Sequence, residues 1–152
     1  MKTVIAAVDF STVTNRVADA AIALARLLKG KIVFIHVIAS PSAIRNLLPA
    51  VDDVASHTRA LNEESDKKML ELRRRIQRKF RALEFVRLSG PAAPTLVSYG
   101  KKHAASYIVL GSHGRSAAYD AVMGSVAAAV VKKANCPVVI IPPVSTKTPP
   151  SD

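Results

Sequence analysis

The 152-residue sequence has a single cysteine, Cys136, so the chain cannot close an internal disulfide. Cys136 precedes Pro137 where an apolar run begins, and inert packing is its expected role. The four histidines, His36, His57, His103 and His113, lack metal-ligand spacing, which argues against a structural zinc site. No apolar run reaches the ~20 residues of a membrane-spanning helix. Met1 to Val8 lacks the length and cleavage pattern of a signal peptide, and the expected location is cytoplasmic. There is no G-x4-G-K-[ST] segment, and no G-x-G-x-x-G follows the first apolar run. These absences set aside a Walker-type nucleotidase and a dinucleotide dehydrogenase.

What is present describes one globular domain. Apolar residues make up 49% of the chain and charged residues 22%, and the length suits one hydrophobic core. The formal charge of +11 raises the possibility of nucleic-acid binding. Much of that charge is local: nine basic residues between Lys67 and Arg87 face only Glu71 and Glu84. Basic positions there recur at helical spacing with few aromatics, and a solvated helix face is the expectation.

Along the chain, Thr3 to Val8 and Lys31 to Ile38 are apolar and β-branched, as strands covered on both faces are. Between them Val17, Ala21, Leu24 and Leu28 recur at helical spacing, with Ser11 or Thr12 as a cap and Gly30 as the stop. Pro41 and Pro49 mark residues 39 to 56 as a loop with at most one helical turn near Ile44 to Leu48. From Thr58 to Ala82 an apolar stripe of Met69, Leu72, Ile76, Phe80 and Leu83 predicts an amphipathic helix. Leu83 to Leu88 is a third strand, Ala93 to His103 a helix interrupted by Gly100, and Ser106 to Leu110 a fourth strand. A fourth helix over Gly124 to Ala134 and a fifth strand over Val138 to Ile141 follow. The expected domain is 1–143, with 144–152 as a disordered, proline-bearing tail.

Five strands alternating with four helices predict an α/β fold: a single open doubly wound, Rossmann-like parallel sheet. Ligands of such sheets bind beyond the carboxyl ends of the strands, where the strand order reverses, and the first and fourth strands are the candidates to flank that crevice. The first strand delivers Asp9, a carboxylate able to bind ribose hydroxyls, a base amino group or a metal, or else to begin the next helix cap. The fourth ends in Gly111-Ser-His-Gly114, and nine residues later Gly124-Ser125 opens a helix. Glycines allow close backbone approach and a helix start attracts anions, so this loop is either a phosphate cradle or a turn with a glycine helix entry.

The G-x2-G-x9-G-S spacing from Gly111 to Ser125 resembles the ATP-binding signature of the universal stress protein family. The opening VIAAVDFS, the His36-Val37 pair, YIVLGSHGRS and GSVAAAVVKKANCPVVIIP are similar to that family's blocks in its order, over residues 2 to 142. The resemblance implies the strand order 3-2-1-4-5 and a site for ATP or another adenine nucleotide, with Mg2+ or Mn2+. It implies Ala7, Val8 and Val37 beside adenine, Asp9 near base or ribose, and Leu110 and Gly111 beside the ribose. Gly114, Arg115, Gly124, Ser125 and Val126 would surround the phosphates. His113 is expected to organise the loop, because no carboxylate or nucleophile stands beside it as a catalytic partner. Tyr119 and Asp120 depart from the family pattern, and an acid there would repel phosphate unless it faces solvent or holds a cation. The implied role is a regulatory nucleotide binder in stress response, a homodimer through Val138 to Ile141, with slow ATP hydrolysis at most. A nucleic-acid or acidic partner on the basic helix is the alternative.

Overall fold

The computed structural model describes residues 1–114 and 123–144. Ten elements follow in chain order: β1 (Thr3–Ala7), α1 (Thr14–Leu27), β2 (Lys31–Ile38), α2 (Pro41–Leu47), α3 (Val54–Ile76), β3 (Leu83–Ser89), α4 (Ala92–Lys102), β4 (Tyr107–Gly111), α5 (Ser125–Lys133) and β5 (Val138–Ile141). The five strands are parallel in the order β3-β2-β1-β4-β5, as the family resemblance implied.

The two-residue period of a strand divides the core. Val4, Ala6, Ile32, Phe34 and Val109 face one side, where α1 and α3 bring Val17, Ala21, Met69, Leu72 and Ile76. Ile5, Val33, Ile35, Ile108 and Leu110 face the other, beneath Leu96 of α4 and Ala127 and Val130 of α5. Burial on both faces is why the central strands read as unbroken apolar runs. No helix among the described residues is long and apolar enough to cross a membrane.

Several expectations need correction. The described residues contain five helices instead of four, because Pro41 begins α2 where it was read as a breaker. At the first helical position the missing N–H of proline costs nothing, and Ser40 caps the turn by accepting from the Ala43 N–H at 3.2 Å. Helix α3 starts earlier than expected, where the Asp53 carboxylate accepts from the Ser56 N–H at 3.0 Å, and ends at Ile76 instead of Ala82. Neither Ser11 nor Thr12 caps α1; its N-cap residue is Val13, without a side-chain bond. Gly100 does not interrupt α4. It is buried where a Cβ would lie 3.3 Å from Ile108 Cδ1 and 3.5 Å from Ile5 Cδ1, so it lets the helix approach the sheet closely.

Candidate functional site

From β1 the chain passes through α1 to β2 on one side, and from β4 through α5 to β5 on the other. Neighbouring connections that depart in opposite directions leave a crevice beyond the strand ends. It is a cavity of about 400 Å³, within the range of small-molecule sites.

Eleven of the twelve residues singled out in the sequence line this cavity: Ala7, Val8 and Asp9 after β1, Val37 on β2, Leu110 and Gly111 on β4, His113 and Gly114 in the following loop, and Gly124, Ser125 and Val126 at the start of α5. The twelfth, Arg115, lies outside the described residues, as do Tyr119, Asp120 and residues 145–152. Sequence reasoning missed Val13, Thr14 and Val17 of the α1 region, Ile35, Ala92, Leu96, Ser112, Met123 and Ala127. Ser112 lay inside the glycine motif and was legible there. Val13, Thr14 and Val17 reach the cavity with α1 and Ala92 and Leu96 with α4, which cover opposite faces of the sheet, while Ile35 comes from β2 and Met123 and Ala127 from around the start of α5.

The polar groups gather along the loop. Asp9 Oδ1 accepts from the Ser11 N–H at 3.0 Å, and Phe10, at φ 60°, turns the chain sharply behind it. The local bond is thus the alternative foreseen for Asp9, although the helix cap proper sits later, at Val13. Asp9 still lines the cavity. Its Oδ2 lies 3.1 Å from where a Gly114 Cβ would stand, so the carboxylate and the glycine loop meet across the mouth. Phe10 packs edge-on against His36, with ring centroids 4.7 Å apart, and His36 Nδ1 is 2.7 Å from the buried Ser65 Oγ.

A backbone clasp closes the loop. The Gly124 N–H donates to Ser112 O at 2.7 Å, and the Ser112 N–H donates to Ile141 O at 2.9 Å. A Cβ on Gly124 would lie 2.9 Å from Ser112 O, and one on Gly111 would lie 2.7 Å from Val13 Cγ1. His113 Nδ1 lies 2.8 Å from Ser112 Oγ. Among the described residues no side chain caps α5. The first N–H groups of a helix have no intrahelical acceptor, and the dipole makes that end attractive to anions.

Apart from Thr14 on α1, the remaining walls are apolar, with Val8, Val17, Ile35, Val37, Leu96 and Leu110 among them. One cavity therefore combines apolar walls for a flat ring, a carboxylate that accepts hydrogen bonds, and an uncapped helix start in a close-packed glycine loop. Among the described residues no cluster of three His, Cys, Asp or Glu is arranged to hold a metal. Cys136 lies away from the cavity lining, half-buried, and burial pushes its thiol up from the ordinary value.

A parallel α/β domain with a glycine-loop cavity at its switch point is an open doubly wound architecture, whose ligands bind beyond the strand ends. The chain belongs to the universal stress protein family, whose model matches residues 1–142. It is 26% identical over 140 residues to universal stress protein MJ0531 of Methanocaldococcus jannaschii, covering 92% of this chain and 81% of that one. The structure of hypothetical protein MJ0577 superposes with a TM-score of 0.82 at 21% identity, covering 95% of this chain and 98% of that one. The Archaeoglobus fulgidus universal stress protein in complex with dAMP matches at TM-score 0.69 and 24% identity, covering 93% and 97% of the two chains. A universal stress protein in complex with cAMP matches at 0.68 and 20%, covering 92% and 95%.

Proposed function

We propose that this protein binds an adenine nucleotide, ATP or a close relative, in the cavity between β1 and β4, and that occupancy regulates contacts with a second copy or a partner during stress in the cytoplasm. The observation that carries the reading is the joining, within one 400 Å³ cavity, of the Asp9 carboxylate, the tightly packed Gly111 to Gly114 loop and the uncapped start of α5. Complexes of structural relatives with dAMP and cAMP support the adenine class.

In this reading Ala7, Val8 and Val37 border the base, and Asp9 accepts from ribose hydroxyls or the base amino group. Leu110 and Gly111 lie against the sugar. Gly114, Gly124, Ser125, Val126 and Arg115 receive the phosphates through backbone N–H groups, a hydroxyl and a guanidinium. Mg2+ or Mn2+ would depend on phosphate oxygens for most of its ligands. His113, beside Ser112 Oγ, organises the loop and is no general base; hydrolysis is slow at most. The homodimer forms through β5, the sheet's last strand, whose Val138 to Ile141 are each only partly buried.

The test begins by denaturing purified protein and identifying any released nucleotide. The emptied, refolded protein and a Gly114→Val variant are then titrated with ATP, ADP and AMP, with and without Mg2+. The variant side chain would press on the Asp9 carboxylate, so binding by the parent and its loss in the variant support the reading. Absence of binding by every adenine nucleotide would sink it.

A further inference from the structure

Parallel strands force each connecting helix to run back, so α1, α3, α4 and α5 end where strands begin, at the end of the molecule away from the cavity. Hydrogen bonds join these ends: the Lys31 N–H donates to Lys2 O at 2.9 Å, the Ile32 N–H donates to Ala82 O at 2.9 Å, and the Arg26 guanidinium donates to Lys79 O at 2.6 Å. Exposed cations crowd this end. The last turn of α3 and the turn after it supply Arg73, Arg74, Arg75, Arg78, Lys79 and Arg81. Arg26 and Lys29 adjoin them from the end of α1, and Lys2 from the start of β1. Across the sheet, α4 ends in Lys101 and Lys102, and α5 in Lys132 and Lys133.

Little opposes this charge. Glu84 pairs with Lys31 at 2.7 Å and Asp19 approaches Lys79 at 3.7 Å. Among the described residues Arg74, Arg75, Arg78 and Arg81 make no ion pair. Capping of helix dipoles is a structural use for cations here, but each helix end carries only about half a charge, roughly two charges for four helices. Most of the cations lie beyond what the dipoles and the two acids balance.

We propose that this end binds the phosphate backbone of duplex nucleic acid, without sequence preference. Five of the six basic residues at the end of α3 are arginine, whose planar fork matches phosphate oxygens. Single strands are held by exposed aromatics, and no Phe or Tyr among the described residues is exposed; Phe85 lies beneath Arg73, 5.1 Å from guanidinium to ring centroid. A membrane-surface helix needs a free apolar face, and that of α3 is spent in the core through Met69, Leu72 and Ile76. The exposed apolar side chains near this end, Leu27 beside Arg26, Met1 beside Lys2 and Val131 beside Lys132, come from three different segments and form no helix face.

The test titrates a fluorescent DNA duplex of about 20 base pairs with the full chain between 50 and 200 mM salt. About six phosphate contacts give a log–log salt slope near −5 and roughly a thousand-fold weakening over that range. An Arg74→Glu/Arg78→Glu variant is expected to reduce the slope by about two and to bind at least tenfold more weakly at 50 mM salt, with ATP affinity unchanged. Thermal melting checks its fold, and an Arg75→Gln/Arg81→Gln variant repeats the test with a milder change. The Gly114→Val variant is expected to keep duplex binding, which separates this inference from the nucleotide reading. Three results overturn the proposal: no duplex binding at 50 mM salt, binding indifferent to salt, or charge-reversed protein that binds as the parent does. Equal affinity at matched charge for poly-glutamate or phosphatidylserine vesicles would also overturn it, as general attraction to anions.

Discussion

Substituting Gly124 by alanine puts the backbone clasp of the site under strain. Gly124 has φ −67°, a conformation alanine adopts freely, so the effect is steric and not conformational. The new Cβ would stand 2.9 Å from Ser112 O and 3.4 Å from His113 Cα, both backbone atoms without rotamers to relieve the contact. Ser112 is itself buried and tied to Ile141, so α5 and the loop must separate by about half an ångström to reach an ordinary contact. That lengthens or breaks the 2.7 Å bond from Gly124 N–H to Ser112 O, at about 1–2 kcal/mol. Part of this is offset by the ~0.4–1 kcal/mol that alanine gains by restricting the unfolded chain. The expected result is a melting temperature lower by only about 2–4 °C, with ATP affinity, read by isothermal titration, reduced at least tenfold because the phosphate donors have moved. Unchanged affinity in a protein with a shifted melting temperature would refute the assignment of this loop to the phosphates.

At the helix–sheet contact, Gly100→Val should cost about 1–3 kcal/mol by overpacking against Ile5 and Ile108, whereas Gly100→Ala should stay within ~1 kcal/mol because its helix propensity offsets the tight methyl. Chemical denaturation of the two variants measures the difference, and equal stabilities would show that the interface is looser than its distances indicate. Burial raises the Cys136 thiol and so lowers its thiolate fraction at neutral pH. Iodoacetamide should label it more slowly than free cysteine from pH 7 to 9, accelerating as pH rises through the elevated value; labelling at the free rate at pH 7 would contradict this.

The sheet was legible because strands buried on both faces must be apolar throughout, and β2 and β5 match their sequence boundaries. Helix ends were less so. The stripe through Ile76 seemed to continue because Phe80 keeps the four-residue spacing, and its N–H does bond to Ile76 O at 3.0 Å, but the regular helix has already ended. Proline at Pro41 carries opposite meanings inside a helix and at its first position, and only the Ser40 cap distinguishes them. At the site, Asp9, Gly111, Gly114, Gly124 and Ser125 were readable from local order, whereas Ala7, Val8, Val37, Leu110 and Val126 followed only from the family resemblance. Leu96 and Ala92 were legible from neither, because their presence in the cavity depends on how α4 crosses the sheet, a tertiary fact that no local spacing encodes.

The hydrogen bond from Ser112 N–H to Ile141 O ties the glycine loop directly to the sheet's outer strand. If the proposed nucleotide binding and β5 pairing are coupled through this contact, they are not thermodynamically independent. Should filling the loop tighten the pairing of two β5 strands by some factor, pairing must tighten the loop's hold on its ligand by that same factor. A dilute monomer and a concentrated dimer would then report different affinities for one nucleotide, and protein concentration would itself be an input that the molecule reads.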